Sequence, residues 1–329
     1  MDAEIMPCLS FPTTLVFVDD DPKFLDHMAI MLGEDHLVHL FKDPKTALKF
    51  LKETYKFDPF TNRCQVEVDD IFPDHRVLDF NIRLIQEEAF NPNRFKEIGI
   101  IILDYAMPDM TGGELAEQLK RKPYKIILLT GEASAQTAVK LFNDGVIHSY
   151  IRKDDQNFKE LLIQSIKNLQ NQYFQDLSRV VLDNYPDRNW PKDPVYKELF
   201  NKIRMENNIA EFFLLDEFGS CLFLTNEGQA SFLAVANEDM MDTYTIVIKD
   251  FNLPANIVAG INNKTLMPFF LNDEDFNLAP SEWVPYIHPV SVLQGFEKYY
   301  YSYITKPDPN IYKFKNKIVS YSEFLASQD

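Results

Sequence analysis

Four short apolar runs in this 329-residue chain each end on side chains able to do chemistry. Leu15-Val16-Phe17-Val18 runs into Asp19-Asp20-Asp21. Gly99-Ile100-Ile101-Ile102-Leu103 ends on Asp104, followed by Met107-Pro108 and Gly112-Gly113. Ile126-Ile127-Leu128-Leu129 ends on Thr130-Gly131, and Tyr150-Ile151 on Arg152-Lys153. Carboxylates hold hard cations and act as nucleophiles. Hydroxyl and ammonium groups donate hydrogen bonds to anions. Asp104 is the most telling of these residues, because an aspartate that closes a five-residue apolar run needs a reason to be there.

Unbroken apolar runs of this length read as strands buried on both faces, as in parallel sheets. Such sheets bind ligands beyond the carboxyl ends of their strands, where these residues lie. Asp21-Pro22 and Asp43-Pro44 each pair an N-cap aspartate with proline at the first helical position, which predicts helices over 22–33 and 44–54. Strands are expected near 36–41 and 147–151. Further helices are expected at 113–120, at 133–143 and from about 157. Residues 55–97 break the alternation with clustered Pro, Asn and Asp, yet carry an amphipathic piece over 77–90, so they read as an ordered insertion. The result is an α/β, doubly wound, five-stranded parallel sheet with an insertion of about forty residues before its third strand.

The strand-end residues, in their order, resemble the receiver domain of two-component response regulators, a flavodoxin-like fold. The matching segments are Val18-Asp19-Asp20-Asp21-Pro22, Leu103-Asp104-Tyr105-Ala106-Met107-Pro108, Leu129-Thr130-Gly131-Glu132 and Tyr150-Ile151-Arg152-Lys153. The resemblance spans about residues 13–170. It implies that Asp104 is the phospho-acceptor and that Mg²⁺ is the cofactor. Asp20 is then a direct metal ligand, Asp19 a ligand through water, and Asp104 and the Ala106 backbone carbonyl complete the protein's share of the shell. It further implies that Lys153 and Thr130 contact the phosphoryl group and that Tyr150 turns inward on switching. Ala106 and Glu132 stand where the family tunes phosphoryl lifetime. One departure stands out, because Asp154 follows the lysine where receivers usually carry proline.

Taken singly, these residues have plainer uses. Asp19, Asp20 and Asp21 could serve helix capping, Thr130 could simply end a strand, and Lys153 could be a surface lysine. Asp19-Asp20-Asp21 also contains the Asp-x-Asp of haloacid-dehalogenase-type phosphatases. That reading leaves Asp104 unexplained, and Asp154-Asp155 abuts Lys153 instead of ending a strand of its own.

The formal charge of −17 is shared almost evenly by residues 1–180 and 181–329. Non-specific attraction to DNA or an anionic membrane is therefore disfavoured. Cys8, Cys64 and Cys221 have no disulfide or metal spacing, no run reaches transmembrane length, and Met1–Ser10 lacks a signal-peptide pattern. The expectation is a cytoplasmic protein. Domains are expected at 1–170, with a helical linker over 171–184 and an output domain over 185–329. Apolar residues at Leu162, Ile166, Leu169, Tyr173, Leu177 and Val180 approach a heptad seam, which suggests homodimer pairing through 158–180, with the receiver surface as the other route.

Residues 185–329 read as α+β with an antiparallel sheet. A three-strand meander is expected over 211–236, helices near 253–262 and 290–301, and a strand-like end over 312–323. The insertion and this region are similar to unusual bacterial response regulators, including quorum-sensing regulators of Legionella-like bacteria. No enzymatic output motif is present. His288 is isolated, and the Tyr299-Tyr300-Tyr301-Ser302-Tyr303 cluster reads as core. The expected partner is a sensor histidine kinase or phosphotransfer protein. The output is expected to bind proteins or small ligands, with nucleic-acid binding through Lys313, Lys315 and Lys317 as the alternative, and the chain is not expected to be an enzyme beyond its own phosphoryl chemistry.

Overall fold

The computed structural model describes residues 5–33, 36–54, 65–69, 76–80, 82–120, 122–131, 135–183, 185–250, 253–272, 278–279, 282–314 and 318–328, with 65–69 and 76–80 in backbone alone. The chain forms two compact units, one of residues 11–65 and 93–177, the other of 1–10, 66–92 and 178–329. It therefore passes between them four times.

The first strand, β1 (Leu9–Ser10), pairs antiparallel with a strand two hundred residues later, Leu9 opposite Phe213. Then come β2 (Thr14–Val18), α1 (Pro22–Leu32), β3 (Val38–Phe41) and α2 (Pro44–Thr54). The insertion supplies a two-stranded pair, β4 (Gln65–Asp69) and β5 (Arg76–Phe80), then α3 (Ile82–Glu88). After it come β6 (Ile98–Asp104), α4 (Gly112–Leu119), β7 (Lys125–Thr130), α5 (Ala135–Asn143), β8 (Ser149–Arg152) and the long α6 (Phe158–Leu182).

The parallel sheet runs β3-β2-β6-β7-β8, the flavodoxin-like order. Every residue of β2, β6 and β7 is buried. Alternation along these strands divides their side chains between two cores. Leu15, Phe17, Ile100, Ile102, Ile127 and Leu129 meet Leu25, Met28, Leu162 and Ile166 on one face. Val16, Val18, Ile101, Leu103 and Leu128 meet Leu51, Leu115 and Ala138 on the other. The two predicted helix starts form, Asp21 Oδ1 accepting from the Lys23 N–H and Asp43 Oδ2 from the Thr46 N–H, while α4 starts on a capping box of Thr111 with Glu114.

The second unit holds a six-stranded antiparallel sheet. Its further elements are α7 (Pro194–Glu206), β9 (Ile209–Leu214), β10 (Cys221–Thr225), β11 (Ala230–Ala236), α8 (Glu238–Val247), α9 (Ala255–Asn262), β12 (Leu266–Pro268), β13 (Ile287–Pro289), β14 (Ser291–Gln294), β15 (Lys298–Ile304) and α10 (Tyr321–Ala326). The sheet order is β1-β9-β10-β11-β15-β14. Asp193, fully buried, caps α7 through the N–H of Val195 and also accepts from the Phe296 N–H and the Tyr299 hydroxyl, tying the β14–β15 turn to the helix.

Several expectations change. Residues 1–10 do not belong with 11–170, because β1 completes the edge of the antiparallel sheet. The insertion divides as well: residues 66–92 pack with 178–329, with Ile82 and Ile85 buried and the Gln86 amide donating to the Leu271 carbonyl. The helix expected over 290–301 is the hairpin β14–β15, where alternating tyrosines favour a pleated surface. The strand-like end over 312–323 holds turns around Tyr312 and the start of α10, which Ser320 and Glu323 cap. The seam on α6 does not await a partner: Leu162, Ile166 and Leu169 fill the core beneath β2 and β6, and Tyr173 and Leu177 are buried too. An apolar stripe beside a sheet finds its own core before a second chain. The Val180 side chain lies outside the described residues.

Candidate functional site

The order of the parallel sheet reverses between β2 and β6, the place where such sheets open a crevice. Their neighbouring C-terminal ends carry Asp19-Asp20 and Asp104. One carboxylate oxygen from each of the three aspartates lies within 4.8 Å of the others. Asp19 and Asp104 are buried and Asp20 is exposed. Backbone groups hold the two buried carboxylates: the Asp21 N–H donates to Asp19 Oδ1 at 3.0 Å and the Ala106 N–H to Asp104 Oδ2 at 3.1 Å.

Lys153 reaches this cluster from the end of β8. Its N–H donates to the Thr130 carbonyl at 3.0 Å, and its Nζ lies 2.6 Å from Asp19 Oδ2 and 2.6 Å from Asp104 Oδ1. The ammonium also sits 4.5 Å from the centre of the Phe24 ring. Burial works against the Lys153 charge, yet its bonds to Asp104 and Asp19 outweigh that and hold its pKa above the ordinary lysine value. Burial lifts the Asp19 carboxyl, and Lys153 and the Asp21 N–H only partly offset it.

Thr130 ends β7 beside Asp104, whose strand partner is Leu129. Its hydroxyl is buried and has no hydrogen-bond partner among the described residues. An orphaned buried hydroxyl is costly, about 1–3 kcal/mol, unless an acceptor arrives. Tyr150 points outward, 40% exposed, with its ring edge on Phe142. Ala106 is exposed. Glu132 lies outside the described residues. Asp154, standing where receivers usually carry proline, pairs with Arg152 through two bonds of 3.0 and 2.7 Å, and no cis peptide occurs among the described residues. Lys153 nevertheless reaches both carboxylates.

Three carboxylates against one ammonium leave the crevice with excess negative charge and only oxygen donors, a set that suits a hard divalent cation such as Mg²⁺. The cluster does not include Asp154 or Asp155, so a second acidic strand end of the phosphatase kind is missing from it. Lys313 is exposed, while Lys315 and Lys317 lie outside the described residues. His288 bonds the Tyr312 hydroxyl at 2.6 Å beside the core aromatics, a structural role.

Sequence reasoning left the roles of two residues unread. Phe24 covers Lys153; only its place in the first turn after Asp21-Pro22 signals this. Gly112 allows the loop after β6 to close, since a Cβ there would lie 2.1 Å from the Asp104 carbonyl oxygen. Gly112→Ala is expected to cost about 1–3 kcal/mol, the range for overpacking, in denaturant unfolding.

The family described as the response regulator receiver domain matches residues 85–166. That segment holds Asp104, Thr130 and Lys153; Asp19 and Asp20 precede it, across the insertion. The solved structure of the Legionella pneumophila response regulator LqsR is 31% identical, with a TM-score of 0.79, and the match covers 100% of this chain and 98% of that one. The chain belongs to the response regulator family. A receiver domain protein from Clostridium thermocellum is 16% identical with a TM-score of 0.34, covering 49% of this chain and 95% of that one. No curated protein sequence matches. The parallel unit of this response regulator is its receiver domain, and the likeness to LqsR extends through the antiparallel unit as well.

Proposed function

We propose that this response regulator is switched by Mg²⁺-dependent phosphorylation of Asp104, with a sensor histidine kinase or phosphotransfer protein as donor. The observation that carries the reading is the meeting of Asp19, Asp20 and Asp104 with Lys153 bridging two of them, beside the unpartnered Thr130 hydroxyl. Asp20 and Asp104 would hold the cation directly, with the Ala106 carbonyl, and Asp19 through water. When bound, the cation supplies Lewis-acid neutralisation of phosphoryl charge.

The chain's own residues do the rest. Asp104 offers its carboxylate as nucleophile, and the Ala106 N–H orients it. Lys153 exchanges its bond to Asp104 for one to a phosphoryl oxygen as a point charge. Thr130 donates its hydroxyl to another, gaining the acceptor it lacks. Movement of Thr130 vacates space into which Tyr150 turns from its exposed position, a two-state element biased by a local charge change. Glu132 and Ala106 set how readily water removes the group.

The antiparallel unit is the output, a protein-interaction or ligand-binding module rather than an enzyme. β2 and β6, which carry the acids at their C-terminal ends, each begin within a few residues of a crossing between units. A shift along these strands therefore has a covalent route to the output. Dimerisation through the receiver surface is the accompanying event. A cytoplasmic setting agrees with the absence, among the described residues, of any helix long and apolar enough to cross a membrane. A place in quorum sensing rests on the resemblance to the Legionella-type regulators.

The test is labelling by a small phosphodonor with Mg²⁺, read by intact mass. One phosphoryl group is expected on the wild-type chain and none on Asp104→Asn. Label that survives Asp104→Asn and disappears only with Asp19→Asn overturns the reading in favour of a phosphatase-type nucleophile.

A further inference from the structure

Within the antiparallel unit a cavity of about 360 Å³ lies between α8, the end of β11 and residues 267–270. Four aromatic side chains line it, Phe218, Tyr244, Phe269 and Phe270, together with Met240 and, among the described residues, one carboxylate, Asp216. Among the described residues no lysine or arginine lines it. Asp216 follows β9, and its Oδ1 accepts the N–H groups of Phe218 and Ser220 at 2.9 and 3.0 Å. All the support it receives among the described residues thus comes from its own turn, and it makes no ion pair there. Burial raises its carboxyl, opposed by hydrogen bonding from the Ser220 side chain and from the N–H groups of Ser220, Phe218 and Gly219. Tyr244 also lines the cavity, and its hydroxyl makes no hydrogen bond among the described residues. Packing fixes the rings: Phe270 lies edge-on to Trp283 at 4.9 Å, and Phe269 lies 5.5 Å from Phe232.

A mostly apolar cavity with a few convergent polar groups is the ordinary form of a small-molecule site. Its chemistry selects the ligand. An anion would meet the Asp216 carboxylate. A purely apolar molecule would bury that carboxylate without compensation, which is costly. A cation is attracted by both the carboxylate and the aromatic faces. The volume equals roughly a dozen water-sized groups at ~30 Å³ each, so the ligand is compact.

We propose that this cavity binds an organic ammonium ion with an apolar body, the ammonium set against Asp216 and the aromatic rings and the body lying beside Met240. The proposal deepens the ligand-binding reading of the output unit and does not depend on the chemistry at Asp104.

The experiment is calorimetric titration of the full, unphosphorylated chain with three molecules sharing one body: phenethylammonium, 2-phenylethanol and 3-phenylpropionate. The ammonium is expected to bind about tenfold or more tightly than the alcohol, as a desolvated cation–aromatic site implies, and the acid not at all. Asp216→Asn keeps the turn acceptor and removes the charge. It should bring the ammonium down to the alcohol's affinity and leave the alcohol unchanged. Equal affinity for all three, no binding of the ammonium, or an ammonium affinity indifferent to Asp216→Asn overturns the proposal. The comparison among the three molecules on the wild-type chain stands even where the variant does not fold. Phosphoryl labelling of Asp104 on the same sample separates the two readings, because normal labelling with failed ammonium binding removes only the ligand class.

Discussion

Replacing Lys153 with alanine is expected to move three measurements, one of them in the opposite sense to the others. In the wild-type chain one ammonium lies against two buried carboxylates, with a third at the edge of the cluster. Removing one partner of a buried ion pair leaves the other charge uncompensated, which costs 3–5 kcal/mol where burial is complete. The Lys153 side chain is 28% exposed, so the loss here should be smaller, about 2–3 kcal/mol. Without Mg²⁺ the variant should therefore unfold at lower denaturant. With millimolar Mg²⁺ it should regain more stability than the wild type does, because three carboxylates without a lysine attract a divalent cation more strongly. Phosphoryl uptake by Asp104 should nevertheless fall by about a hundredfold, the usual cost of losing a charge-stabilising donor. Paired unfolding curves with and without Mg²⁺, and initial labelling rates, check the three effects. Equal Mg²⁺ stabilisation of the two proteins would show that Lys153 and the cation do not share the cluster.

Residues 185–329 expressed alone are expected not to fold. The boundary looks natural in sequence, with Pro186, Pro191 and Pro194 at its start. Yet the unit also contains β1 and the insertion helix α3. Met6, Leu9, Ile82 and Ile85 are all buried. At about 1.5–3 kcal/mol for each such side chain, their loss removes ~6–12 kcal/mol as an upper bound. That is comparable to the whole stability of a typical domain, about 5–15 kcal/mol. Removing β1 also bares the β9 edge, a template for aggregation. Near-ultraviolet circular dichroism and thermal unfolding of the fragment should show no cooperative transition. A fragment melting cooperatively near the full chain's midpoint would refute this account of the unit.

The placement of the acids, threonine and lysine was readable in the sequence because a parallel sheet converts a local pattern into a place. An apolar run ending on an acid, hydroxyl or lysine specifies a buried strand and the side chain at its edge. Four such strands within a five-stranded sheet of flavodoxin-like order bring those edges together. The readable signals were local: period, capping residues and strand ends. Where local signals were ambiguous, the reading slipped. Val290–Tyr301 holds apolar residues compatible with either period, and only pairing with β11 makes it a hairpin. The stripe on α6 fits a coiled coil and a domain core equally well, and core packing decides.

The amino-acid sequence by itself determined the receiver's strands, the helix caps at Asp21 and Asp43, and the acids, threonine and lysine around Asp104. These follow from interactions among residues close in the chain. Only the tertiary structure decided which segments share a unit, that Lys153 bridges Asp19 and Asp104, that Phe24 covers it, and that Asp216 faces a cavity lined with aromatic rings. Each of these depends on contacts between residues far apart in sequence, whose pairing is set by the burial of whole faces and not by a local pattern.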